Sequence, residues 1–361
     1  QDRQRRGYSE AYGRKPRNGG LRRGVMADYR VYATGGGAWG AGGSNRIVIN
    51  KPITLTGVNG AEETSIRGNG MRCAYLSHTG IVVTGFTLTN GTAEWGGGAY
   101  IEAGTLENCI VRNNTATGST TCDDVGKHCF HQAYGGGVYG GILRHCKIHE
   151  NTAHASGGTT ESAVAQGGGT YQSRLSTCMV WSNAVIADGC WSASASAQGG
   201  GAQGGTNENC TIVRNSAYAG SVPPDWANAS GGGCHDGALV NTIVYYNTTQ
   251  NSTSGVVSGN AVVESSLHSC APEIGTSDGN VNSDPEFVNG YGSDYRLRTT
   301  SPCLNAGTNQ DWMAGATDLD GNPRIGDSIV DMGAYEGGIE VFPRAWYVAT
   351  NGSDAAAGTN W

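Results

Sequence analysis

The sequence predicts an all-β fold, a parallel β-helix solenoid with long loops projecting from one side, and three observations lead there. The tract GGG recurs at 96–98, 135–137, 167–169, 199–201 and 231–233, in steps of 39, 32, 32 and 32 residues. After each tract comes a short alternating segment: NCIVRNN, HCKIHEN, TCMVWSN, NCTIVRN and NTIVYYN. These end on Asn114, Asn151, Asn183, Asn215 and Asn247, in steps of 37, 32, 32 and 32. Finally, apolar and polar residues alternate with a period of two inside each segment, and no helical stripe interrupts them, so the repeating unit is a strand and not a βαβ, ankyrin or leucine-rich unit. One such unit cannot bury its apolar face alone, so identical neighbours must stack.

Composition agrees. Glycine fills 60 of 361 positions against 9 prolines, with no sustained Gly-X-Y register, which excludes collagen and proline-rich linkers. Charged residues are only 15% and hydrophobic residues 37%, so the chain is ordered with a weakly charged surface.

Residues 1–30 form a basic irregular arm: nine Lys or Arg stand against three Asp or Glu, a net +6 that leaves −13 for the rest of a chain at −7. That acidic body repels nucleic acid, and no 18-residue apolar stretch offers a helical membrane span. The solenoid is expected over 31–310, with coiling from about Arg46. NKPITLTGVNG and GIVVTGFTLTNGTA carry the same strand and turn pattern without long insertions, and Asn90 precedes Asn114 by only 24 residues, the length of a rung with a short loop.

Alignment on the final asparagine puts Cys109, Cys146, Cys178, Cys210 and Thr242 in one inward column and Val111, Ile148, Val180, Ile212 and Val244 in the next. Leu106, Leu143, Leu175, Asn207 and Leu239 form a third, broken only by Asn207. The asparagines suit an internal amide ladder, and the glycines suit tight corners. Between each asparagine and the next GGG lies a loop of freely changing sequence. Residues 311–340, with TDLDGNPRIGDSIVDMGAYEGG, read as a closing tail, and 341–361 as the start of a further or truncated segment.

GGGAY, GGGVYG and GGGTYQ, together with VRNN, WSN, VRN and YYN, resemble the repeats of secreted bacterial right-handed parallel β-helix proteins, the polymorphic outer-membrane type, on a pectate-lyase-like fold. The stretch from Asp284 through SPCLNAG to DMGAYE resembles the end of such proteins that carry variable anchors. The resemblance spans roughly 46–338. It implies a right-handed coil and a secreted or surface location, but it does not choose among lyases, glycoside hydrolases, adhesins and passenger domains.

The residues themselves support an extracellular or cell-surface scaffold, noncatalytic, whose partner is a polysaccharide or a cell-surface component. A polysaccharide lyase or glycoside hydrolase acting on acidic polysaccharide, and a purely structural spacer, are the alternatives. Tyr100, Tyr139 and Tyr171 share one position after the glycines, followed there by Gln203 and His235, while Trp181 and Tyr245 lie in another outward column. Such rings either meet sugars or stack on one another to stiffen the sheet. For lyase chemistry, Arg112, Lys147, His149 and Glu150 offer cation and base on one strand face, although a solvated face accounts for the same residues.

No cofactor is required. Calcium fits Asp318 and Asp320 as ligands, against a plain hydrogen-bonded turn, since the full loop of an EF-hand is missing. A metal reading of Asp123, His128 and His131, with Cys122, Asp124 and Cys129, lacks the spacing of a closed zinc motif. Cys122 and Cys129, seven residues apart in the longest loop, suit a disulfide; Cys190 with Cys234 and Cys270 with Cys303 are longer pairs.

Overall fold

The computed structural model describes residues 8–9, 23–27, 31–38, 43–122, 129–157, 161–191, 193–222, 226–252, 256–292 and 294–339. It is a right-handed parallel β-helix whose middle rungs pass the same stations. One rung runs through Val138–Arg144 on a first sheet, Lys147–His149 on a second, Thr152–Ser156 on a third and Ser162–Gln166 on a fourth. It then returns through GGG to Thr170–Tyr171 on the first sheet. Each station pairs in parallel with its counterpart one rung on: Leu143 with Leu175, Ile148 with Val180, Ala153 with Val185 and Ala163 with Ala195.

The turn from the first sheet to the second places Asn108, His145, Thr177, Asn209 and Asn241 at φ of 49° to 52°. Left-handed backbone costs a non-glycine residue roughly 1–2 kcal/mol, so something must hold these turns. The cysteine column lines this turn from inside the coil, and an asparagine ladder lines the next one, from the second sheet to the third, where Glu150 and Ser182 have φ of 55° and 53°. Asn151 Nδ2 and the Asn151 backbone N–H both donate to Asn183 Oδ1, at 2.9 and 3.0 Å, and Nδ2 also donates to the Val111 carbonyl. The pattern begins where the Gly91 N–H donates to Asn114 Oδ1 and repeats through Asn215 and Asn247 to Asn260, which donates twice to Glu273 Oε1. A carboxylate is an apt final acceptor for a ladder whose every step donates the same way.

The cysteine column forms a second ladder. Cys146, Cys178 and Cys210 each donate from sulfur to the carbonyl two residues back, and Thr242 does the same with its hydroxyl. Burial pushes the thiols of Cys109, Cys146 and Cys178 well up, so they are packing residues and poor nucleophiles.

Leu106, Leu143, Leu175 and Leu239 are fully or almost fully buried in the same core. Asn207 sits among them at 1% exposure, with neither its amide nitrogen nor its oxygen hydrogen-bonded. Replacing it by the leucine of its neighbours removes two desolvated polar atoms at similar volume. Asn207→Leu should therefore stabilise the coil by about 1–3 kcal/mol, read as a raised urea midpoint with an unchanged slope. A lowered midpoint would mean that the amide is satisfied in solution.

The segments expected to be freely varying loops are in large part strands. They leave on the third sheet and return on the fourth, whose rungs pair with one another. The two sheets face each other through alanine: Ala153, Ala155, Ala163, Ala165, Ala195, Ala197, Ala217 and Ala219 are essentially excluded from solvent. Small side chains let the sheets close on each other, and the result is a thin two-layered fin along the coil.

The C-terminal segment lies along the outside of the second sheet. Phe287–Asn289 pairs with Asp294–Arg298, and Gly338–Ile339 joins their other side. The Ala334 N–H donates to Thr211 Oγ1 and the Thr308 N–H to Asn241 Oδ1, while His145 Nε2 lies 2.8 Å from the Thr317 carbonyl. Met179, Ile243, Cys270, Phe287, Leu297, Cys303 and Met332 close a core beneath it. Arg324, fully buried, fastens the end of this segment: it pairs with Glu336 at 2.8 Å and donates to the carbonyls of Asp331 and Gly333. Burial lowers Arg324 and pushes the Glu336 carboxyl up to about 7.

Candidate ligand-binding groove

The corner between the fourth sheet and the first is built from GGG. The first glycine of each tract has φ between 55° and 68°, which reverses the backbone. The second and third have no room for a side chain; a Cβ on Gly169 would stand 2.5 Å from the Gly201 carbonyl and 3.0 Å from Asn183 Nδ2. The bare corner folds inward, so the residue before each tract and the residue two places after it converge from two walls. Trp95 before the first tract lies 6.3 Å from Tyr100 and 5.9 Å from Tyr139, centroid to centroid, and Tyr134 before the second lies 4.8 Å from Tyr171. On a convex corner these rings would diverge. The corner is a groove running along the coil axis.

One end is aromatic. Tyr75, Tyr100, Tyr139 and Tyr171 are stacked at successive separations of 5.8, 4.7 and 5.0 Å. Trp95 is held from below by the buried Arg72, which donates to its carbonyl, to that of Gly96 and to Asn45, and also lies over the Tyr100 ring. Ring faces are thus consumed largely by other rings, and the stiffening use of the tyrosines is realised. What remains for a ligand is the row of edges and phenol groups. Burial pushes Tyr75 and Tyr134 up to about 12, so both phenols stay protonated, and Tyr75 donates to Glu102.

The other end is polar. The wall before the glycines continues as Gln166, Gln198 and Ser230, with Gln166 donating to Gln198. The wall after them continues from Tyr171 to Gln203 and His235, in register. Gln203 is 4% exposed, and its Nε2 donates to Asp236 Oδ2 at 2.9 Å. His235 Nδ1 is 3.3 Å from the same carboxylate oxygen but is without hydrogen-bond geometry, and Gln203 Oε1 and Ser230 Oγ are buried without any partner.

The other sequence candidates lie elsewhere. Trp181 stacks on His149 at 4.1 Å, and both Trp181 and Tyr245 pack against the C-terminal segment rather than lining the groove. Arg112 and His149 are in register on the second sheet, with Lys147 two residues before His149. Glu150 is 3.6 Å from His149 Nδ1, and burial lowers the His149 pKa. Lys147 and His145 border a cavity of about 350 Å³ between the second sheet and the loop Thr317–Gly321; Arg112, His149 and Glu150 do not border it.

Asp318 is 1% exposed and spends both oxygens on N–H donors: Oδ1 accepts from Asp320 and Asn322, and Oδ2 from the Asn322 side chain and Glu336. Asp320 pairs with Arg296 at 2.6 Å. Their geometry is that of a hydrogen-bonded turn. Among the described residues no three His, Cys, Asp or Glu side chains come together as a metal cluster.

Asp123 and His128 lie outside the described residues; His131 meets Glu161 at 3.0 Å. The backbones of Cys122 and Cys129 stand directly opposite in an antiparallel pair, and their side chains are outside the description. No disulfide is formed among the described cysteines, although Cys303 hydrogen-bonds Cys270 and pushes its thiol up.

Of the polar end, His235 was a candidate in the sequence and Gln203 shared its column, whereas Ser230 and Asp236 were missed because they belong to no catalytic or binding motif. The legible signal was positional: Gln203 continues the tyrosine column.

No protein-family model matches the chain, and no curated protein matches it. Among solved structures the chain is similar to a crystal structure of pectate lyase Pel9A, with 14% sequence identity, 87% of each chain covered and a TM-score of 0.42.

Proposed function

We propose that the chain is a noncatalytic module of a secreted or cell-surface protein, and that it binds a linear glycan lengthwise in the groove along the GGG corner. One observation carries this reading: two walls of side chains meet over a buried glycine corner, with tyrosines in register on successive rungs and Gln203 and His235 continuing their column. Rungs of a β-sheet recur about every 4.8 Å, so the groove offers an extended ligand a tyrosine on each of four successive rungs and then Gln203 and His235 on the next two. Weak charge and bordering phenols and amides suit hydroxyl-rich polymers, and a rigid, prestacked wall loses little entropy on binding. A surface location fits this use. No helix among the described residues is long and apolar enough to cross a membrane.

Titration against neutral and acidic oligosaccharides, with assays for new reducing and unsaturated ends, tests the proposal. Tyr139→Ala, in the middle of the stack, should weaken glycan binding about 3- to 10-fold, the worth of one aromatic contact. Binding by the parent chain that Tyr139→Ala leaves unchanged would move the site away from the groove. Chain cleavage by the purified protein would overturn the noncatalytic reading.

A further inference from the structure

We infer that the polar end of the groove is a subsite for a non-acidic sugar unit, recognised by the hydrogen-bond donors of its hydroxyl or amino groups and closed to uronates. This rests on the groove being a glycan site and adds what it selects. The Gln203 amide has a fixed orientation, because a carboxylate accepts and cannot donate: Nε2 must face Asp236, which leaves Oε1 as the free acceptor. That oxygen is buried and has no partner in the protein, on a side chain only 4% exposed. Ser230 Oγ, on the opposite wall, and His235 Nδ1, one rung along, are unpartnered as well. Three orphaned polar atoms at one end of one groove are unusual in a folded protein, where nearly all such groups are paired.

The chemistry is one-sided. Gln203 Oε1 and Asp236 only accept, and Ser230 Oγ can accept too, so a sugar presenting O–H or N–H groups completes the set. A carboxylate brought there would meet the negative charge of Asp236, whose side chain is half exposed at the rim. At the aromatic end the Glu102 carboxylate beside Tyr75 and Tyr100 is accompanied by the Arg72 guanidinium over the Tyr100 ring.

The discriminating variant is Asp236→Asn. Asp236 has φ 56°, a conformation asparagine adopts readily, so the substitution alters charge and leaves the turn intact. Calorimetric titration with neutral β-linked gluco-oligosaccharides, chito-oligosaccharides and oligogalacturonates should show the parent chain preferring either non-acidic ligand over the uronate. Asp236→Asn should narrow that preference about fivefold, chiefly by improved uronate binding, at an unchanged melting temperature. Tyr139→Ala should weaken all of the ligands together, which separates the two readings. A parent chain that binds glycan in a Tyr139-dependent way, yet with equal affinity for uronate and neutral chains or with a preference unmoved by Asp236→Asn, overturns the subsite and leaves the groove standing. If no glycan binds at all, both fall.

Discussion

Asn183→Ala should destabilise the coil by about 3–5 kcal/mol, because one side chain satisfies four hydrogen bonds in a place water does not reach. Asn183 Oδ1 accepts from the backbone and the amide of Asn151, while its Nδ2 donates to the Ile148 carbonyl and to Asn215 Oδ1. Alanine orphans the two Asn151 donors and one carbonyl and leaves a small void, and each orphaned group costs about 1–3 kcal/mol. The ladder is interrupted between rungs, so unfolding should also lose cooperativity, since a solenoid couples only through nearest neighbours. A urea titration followed by circular dichroism reads both. Asn228→Ala, at an exposed position on the fin, should change stability by less than about 0.5 kcal/mol. Equal midpoints for the two variants would show that the internal ladder contributes nothing.

Gly168→Ala should be worse still and prevent a native coil. The added carbon would lie 2.4 Å from the carbonyl oxygens of both Ala184 and Gly200. These are backbone atoms on two sides, fixed by the pairing of Gly168 with Gly199 and of Gly169 with Gly200, so no side chain can turn away to make room. Relief requires neighbouring rungs to separate, which breaks the ladders on either side. Gly60 is the informative contrast: it has φ 77° and nothing within 4 Å of an added carbon. Gly60→Ala pays only for left-handed backbone, about 1–2 kcal/mol. Soluble yield and tryptic resistance of the two variants separate the causes; a Gly168→Ala chain as stable as Gly60→Ala would show that the corner is not filled.

Much of the coil was legible in the residues because a solenoid repeats its environment. The positions occupied by Cys146, Ile148 and Asn151 meet the same surroundings at Cys178, Val180 and Asn183, so the columns could be written down before any contact was known, and they pair as written. The fin was legible in principle. AHA, AVA, ASA, AYA and ANA alternate alanine with another residue over the inserted segments. The signal was weak because alanine is a poor marker of burial and the intervening residues change.

The candidate site was read only in part. Tyr100, Tyr139 and Tyr171 do share a wall, but Trp181 and Tyr245 occupy an outward column that the C-terminal segment then covers. Alternation tells which face a side chain leaves from, and says nothing about what folds back onto that face.

The sequence by itself determined the coil, its rung length and its inward ladders, because these depend on contacts between residues at equal steps along the chain. The tertiary structure decided the rest. Convergence of Trp95 on Tyr100 and the lodging of Gln203 against Asp236 depend on the angle at which glycine turns the backbone. Shelter of the second sheet depends on where a non-repeating segment comes to lie. Neither quantity is carried by a periodic pattern, since a period fixes spacing along the coil axis and leaves the angles around it free.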